Sequence, residues 1–279
     1  MQIIETFLCG KENNPKTCED GIFCGKYMVA VIDGVTAKGQ MLWDGHKSGF
    51  YAKELLLAYF AQTGIEKQNA QELFANLDDY LYKHAVAKYP QLPAEEYPRA
   101  SVIVYNDIYK EIWSYGDCQC RINDIVYNHA KKIDQLNSML RSYYLEYHLE
   151  NGMTLQELQE HDLGRTAIEE SLRMQFSFEN KAGEFGYPVL NGMGIAPHMI
   201  SVHKVCAGDE IILASDGYPK LEACLEKSEE SLKKIMETDP MCFRRYPCTK
   251  GIKAGNVSFD DRAFCRIITS KKVLDMVKF

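Results

Sequence analysis

The sequence predicts an α+β fold built from antiparallel sheets flanked by helices. One observation is the element order: strands, a helix pair, strands, a second helix pair, strands, helices and a closing strand. Another is the turn chemistry, which separates the strands within each group and reads as a meander. The third is composition: 279 residues, 46% of them hydrophobic, are ample for a substantial core.

Residues 2–8 and 21–33 are rich in Ile, Val and aromatic residues around short polar breaks and read as strands. Residues 47–62 form a helix closed by Gly64. Leu73, Phe74, Leu77, Leu81 and His84 recur at i, i+4, i+8 and mark a second helix, with His84 a packed core histidine. After the proline-punctuated "YPQLPAEEYP" come the short strands "ASVIVYN", "EIWSYGD" and "RINDIVYNH". Ile133, Leu136, Leu140, Tyr144 and Tyr147 then keep helical period up to "NGM" at 151–153. Thr154 and Glu157 have capping-box spacing and open a further helix toward Leu172 and Phe176. "HMISVHKV" and "DEIILASD" return to strand pattern, 219–238 is helical, and "RAFCRIIT" is the last strand. The chain reads as one domain over 1–279 with a helical insertion at about 131–176.

Several function classes are disfavoured. A net charge of −7 with no stripe of Lys and Arg argues against nucleic-acid binding. No apolar stretch approaches the roughly 20 residues of a membrane helix, and the N-terminus "MQIIETFLCGKENN" lacks the pattern of a secretory signal. The ten cysteines contain no C-x-x-C pair, so zinc is not expected, and free thiols point to the cytoplasm.

The informative feature is where the aspartates fall. "YMVAVIDGVT" and "EIILASDGYP" each deliver an aspartate, Asp33 and Asp216, at the end of a continuous apolar run. "EIWSYGD" ends in Asp117, and acidic pairs Glu19-Asp20 and Asp260-Asp261 lie near the two ends of the chain. Any one alone is a turn residue or a helix cap. Brought to one sheet edge, they would repel unless a cation neutralised them. Hard oxygen ligands with few histidines suit Mg²⁺ or Mn²⁺. Two such ions activate water and neutralise a phosphate group, so metal-assisted hydrolysis of a phosphate ester follows.

"CEDGIFCGKYMVAVIDGVTAKG", "IWSYGDCQCRIND", "GDEIILASDG" and "SFDDRAFCRI", in this order, resemble the metal-dependent type 2C family of protein serine/threonine phosphatases. "NHAKKIDQL…NGMTLQELQEH" is similar to the segment that follows the Gly-Asp motif in bacterial members, so the resemblance spans nearly the whole chain. It implies a four-layer α-β-β-α sandwich with the metal site at one edge of the paired sheets. It also implies hydrolysis of phosphoserine or phosphothreonine in a phosphoprotein by a water activated between two Mn or Mg ions. Carried over by position, Asp33 would bridge the two metals, and Glu19 and the Gly34 carbonyl would bind one of them. Asp216 and Asp260 would ligate the other, and Asp117 would serve a third, weaker ion. Asp20 would hold metal-bound waters and Asp261 would support the ligands from behind.

Departures from the family pattern keep alternatives open. Its phosphate-binding arginine is replaced by Pro15, with neighbouring Lys16 as the candidate substitute, a point charge without bidentate geometry. The family's glycines and histidine after Asp-Gly are replaced by "VTAKG", leaving His46 as a stand-in acid. "RASVIVYN" matches the small-residue segment before the central strands only loosely. The alternatives are a catalytically weak or inactive relative that binds phosphorylated partners, and a phosphatase of small phosphate esters.

Overall fold

In the computed structural model, which describes residues 1–36 and 38–270, two five-stranded antiparallel sheets stack face to face. The first has the order β1-β10-β9-β6-β7, made of Gln2–Cys9, Arg262–Ile268, Glu210–Ala214, Gln119–Ile122 and Ile125–Tyr127. The second has the order β2-β3-β4-β5-β8, made of Asp20–Cys24, Met28–Gly34, Ala100–Asn106, Glu111–Tyr115 and Ser201–Lys204.

Strand alternation explains both cores. Along β3, Val29 and Val31 turn inward, where they meet Ile103, Ile211, Leu213, Ala263 and Cys265 between the sheets. Met28, Ala30 and Ile32 turn outward under helices α1 (Ser48–Phe60) and α2 (Ala70–Leu81), through Leu56, Phe60, Phe74 and Leu77. A strand covered on both faces must be apolar throughout, which is why "MVAVI" shows no alternation. On the other side, the segment around Tyr218, Leu221 and Leu225 covers Ile212, Ala214 and Phe264. Helix α7 (Leu225–Thr238) is clamped there by Arg262, whose guanidinium donates to Glu229 at 2.9 and 3.1 Å. The layers are thus helix, sheet, sheet, helix.

Several expectations are corrected in detail. The 21–33 strand is a hairpin, broken where the Gly25 N–H donates to the Met28 carbonyl at 2.8 Å. The central strands do not form one meander: β4 and β5 lie in one sheet, β6 and β7 in the other, and the chain crosses between them at Gly116-Asp117. Local pattern cannot reveal such a crossing, because both strands keep the same alternation on either side of it. His84 is not a core residue; it lies half-buried on the π-helical turn Tyr82–Val86, its ring tilted against Tyr80 with centroids 4.2 Å apart.

Between β7 and β8 the chain runs through α3 (Lys132–Glu150), then three short helices, α4 (Leu155–Glu160), α5 (Leu163–Ala167) and α6 (Glu169–Met174). The single helix expected toward Phe176 is broken because Asp162 caps α5 with its side chain, accepting from the Arg165 N–H. The same carboxylate receives Arg141 of α3 at 2.7 Å, and the Arg141 guanidinium also donates to the carbonyls of Cys242 (3.2 Å) and Cys248 (3.0 Å). One fully buried guanidinium therefore ties the helical segment to the 239–248 loop. Replacing it strands a carboxylate and two carbonyls. Arg141→Met is expected to cost roughly 3 kcal/mol in unfolding free energy, read from the shift in urea midpoint.

Candidate metal centre

The strand ends deliver their acids to one edge of the inter-sheet space. Asp33 continues the inward-facing parity of Val29 and Val31, and Asp20 stands directly opposite it in the β2–β3 register. Asp261 holds the same parity as Ala263 and Cys265 just ahead of β10. Asp117 lies on the crossing from β5 to β6, and Asp216 follows the end of β9.

Carboxylate oxygens of Asp33, Asp117 and Asp216 all lie within 4.8 Å of one another. Among the described residues, no hydrogen bond or ion pair reaches the carboxylates of Asp33 or Asp216. Burial, then Asp216 and Asp20, push the Asp33 carboxyl well above its ordinary value. Burial likewise raises Asp20, whose Oδ2 has no partner. Asp216 is an exposed residue, yet the protein around its carboxyl, with Asp117 and Asp260, pushes it up to about 7 against the opposing pull of Lys250 and Lys131. Desolvation and like-charge crowding thus raise three of these carboxyls together.

Backbone packing shapes the cradle. Gly116 has φ of 121°, and a Cβ there would lie 2.3 Å from the Ser101 side chain, so only glycine permits the turn. That turn lets the Ser101 hydroxyl donate to Asp117 at 2.5 Å while accepting from the Asp117 N–H at 3.3 Å. Gly49, in the first turn of α1, is the second such point. A Cβ on it would lie 2.6 Å from Glu19 Oε1 and 2.8 Å from the Gly34 carbonyl oxygen. Those two oxygens thus converge on the same small space, and Glu19 Oε1, though buried, has no hydrogen-bond partner. Unpartnered buried carboxylate oxygens beside a backbone carbonyl are the donor set that Mg²⁺ or Mn²⁺ takes, so the residues present fit a hard divalent cation.

The other acids carry lysines. Lys131, the residue before α3, pairs with Asp117 at 2.6 Å; burial acts against the Asp117 charge, but Lys131 and Ser101 prevail and its pKa falls. Lys250 and Lys11 overcome burial in the same way at Asp260, which is lowered to about 2. Asp261 is a scaffold: its Oδ1 accepts from the Lys11 N–H at 2.7 Å and its Oδ2 from the Glu19 N–H at 2.9 Å.

Lys16 is not placed with these residues. It is exposed, and among the described residues no hydrogen bond or ion pair joins its side chain to the acidic cluster. The chain turns at 10–13, where the Asn13 N–H donates to the Gly10 carbonyl at 2.7 Å, and it is Lys11 that reaches back to the acids. His46 is exposed and stacked on Phe50 at 4.2 Å, without a contact to any acid of the cluster among the described residues.

A cavity of about 270 Å³ opens beside the cluster. Asp117, Asp216 and Asp260 form its floor, Lys131, Asp134 and Ser138 border it from α3, and Thr249 and Lys250 border it from the loop that Arg141 anchors. The lysines and the α3 wall were not among the residues singled out from sequence. A lysine in a helical or loop context carries no positional signal, and its reach is decided by tertiary folding.

No protein-family model matches the sequence, and no curated protein matches it. By chain path, 97% of it aligns with 100% of the serine/threonine phosphatase PstP/Ppp of Mycobacterium tuberculosis, at 13% identity and a TM-score of 0.49. For the PPM Ser-Thr phosphatase MsPP of Mycobacterium smegmatis, solved with cacodylate, the coverage is 97% and 100%, with 11% identity and a TM-score of 0.48. For the serine/threonine phosphatase Stp1 of Staphylococcus aureus it is 97% and 96%, with 15% identity and a TM-score of 0.48. Identity this low assigns no residue its role; the geometry above has to do that.

Gly49→Ala places a methyl group against Glu19 and the Gly34 carbonyl while favouring the helix itself. It is expected to weaken Mn²⁺ binding at least tenfold with no loss of helix content, measured by calorimetric titration and far-ultraviolet circular dichroism.

Proposed function

We propose that the chain is a Mg²⁺- or Mn²⁺-dependent phosphatase acting on phosphoserine and phosphothreonine in proteins. The observation that carries this reading is the convergence of the Asp33, Asp117 and Asp216 carboxylates, two of them without a hydrogen bond or ion pair among the described residues, at the floor of an open cleft. Glu19, Asp33, the Gly34 carbonyl, Asp117, Asp216 and Asp260 would hold the ions, with Asp20 and Asp261 behind them. Asp117 belongs to the same cluster as Asp33 and Asp216 rather than to an outlying position, which supports counting it among the principal ligands.

Divalent cations bound there supply Lewis acidity and positive charge to a phosphoryl group and its attacking water. The chain's own residues do the rest. Lys131 and Lys250 border the cleft and add positive charge to a floor that would otherwise repel a phosphate dianion. Tyr218, Pro219, Pro247 and Phe259 give the cleft apolar walls suited to a peptide's side chains. Among the described residues no helix is long and apolar enough to cross a membrane. A cytoplasmic, single catalytic unit spanning the sheets and the helical segment is the arrangement we propose, supported by the ten cysteines, none of them in a disulfide, and by the α3 residues that line the cleft.

The test is phosphate release from a phosphothreonine peptide in Mn²⁺. Release is expected with the wild-type chain, is lost in chelator, and falls at least a thousandfold in Asp33→Asn and Asp216→Asn, on the scale of removing charge stabilisation from a transition state. Tight phosphopeptide binding without release would make the protein a binding module instead.

A further inference from the structure

On the reading of the acidic edge as a divalent-cation site, its two halves differ in what neutralises them. Asp33, Asp20 and Asp216 have no cationic side chain bonded to them among the described residues. Glu19, Asp260 and Asp261 do. The Lys11 ammonium lies 3.2 Å from Glu19 Oε2, 3.4 Å from Asp260 Oδ1 and 3.4 Å from Asp261 Oδ2, with the Thr36 hydroxyl at 3.4 Å. An ammonium has three donors and no acceptor, so three carboxylates satisfy it fully. Burial acts against its charge, yet Asp260, Glu19 and Asp261 outweigh burial and raise its pKa.

The backbone holds Lys11 in place independently of its side chain. Its N–H donates to Asp261 Oδ1 at 2.7 Å and its carbonyl accepts from the Val257 N–H at 2.8 Å. The ammonium can therefore swing away on its four-carbon stem without detaching the chain. Glu19 is divided between the two uses: Oε2 is taken by Lys11 and Thr36, while Oε1 stays unpartnered beside the Gly34 carbonyl.

We propose that Lys11 is a built-in counter-ion that competes with a divalent cation for Glu19, Asp260 and Asp261. The edge then loads unequally. Metal entering the Asp33–Asp117–Asp216 cluster meets an ammonium on Asp117 alone, that of Lys131, and finds Asp33 and Asp216 without an ion pair among the described residues, whereas entry on the Glu19–Asp260–Asp261 side must displace Lys11 from three carboxylates at the high effective concentration of a tether. Lys11 lowers metal affinity on the Glu19–Asp260–Asp261 side and keeps the metal-free edge from being driven apart by its own charge.

The experiment is a calorimetric Mn²⁺ titration of the full chain, wild-type against Lys11→Met, with melting temperatures recorded in chelator and in Mn²⁺. The wild type is expected to show one tighter and one weaker event. In Lys11→Met the weaker event should tighten at least tenfold and the tighter one stay unchanged. In chelator the variant should melt below the wild type, and Mn²⁺ should raise its melting temperature by more. Lys11→Gln carries the same expectation should Lys11→Met not fold. Superimposable isotherms, or a weaker second event in the variants, would overturn the role of Lys11 while leaving the metal site standing. Absence of Mn²⁺ binding in wild type and variants alike would overturn the site reading itself, and the proposal with it.

Discussion

Mutual repulsion among carboxylates at the open edge between the two sheets is the constraint to which the rest of this structure answers. Seven acidic side chains arrive there from five separate points of the chain. Asp20, Asp33 and Asp261 project into the inter-sheet space by strand parity, which the hydrophobic core between the sheets leaves no freedom to change. Folding the apolar strands therefore forces the acids together. The free energy of the sandwich core is what holds this unfavourable charge arrangement in place.

The surrounding structure meets that charge in three ways. Lys11, Lys131 and Lys250 pair with Glu19, Asp117 and Asp260, while Asp261, also paired with the Lys11 ammonium, accepts from two backbone amides and so aligns the 11–19 segment. Asp33, Asp20 and Asp216 are left with raised pKa values and open lone pairs. That last group is the reason to place a metal here. A structural cluster would have been completed with cations, as the Asp260 side was. The incompleteness is local, and beside it Gly49 of the adjoining helix α1 leaves Glu19 Oε1 and the Gly34 carbonyl oxygen free of a Cβ that would crowd both.

Much of this was legible in the sequence, for identifiable reasons. Asp33 and Asp216 stood out because an apolar run buried on both faces must end before a charge, so the charge marks the sheet's edge. Gly116 beside Asp117 signalled a turn that no larger residue could make, given the contact with Ser101. What stayed hidden depended on long-range geometry. The passage of the chain from one sheet to the other at Asp117 leaves no trace in local alternation. Lys11 rather than Lys16 meets the acids because of a turn at residues 10–13, and both lysines look alike in sequence. The breaks among α4, α5 and α6 follow from Asp162 serving as a cap and as the partner of Arg141, a double duty that spacing does not disclose.

The central claim is that the acids form a divalent-cation site. Crystals soaked in Mn²⁺ and measured on both sides of the manganese absorption edge test it most directly. The account predicts an anomalous peak enclosed by Asp33, Asp117 and Asp216. A map with no anomalous density at that edge, from crystals in which the three carboxylates are ordered, would contradict it.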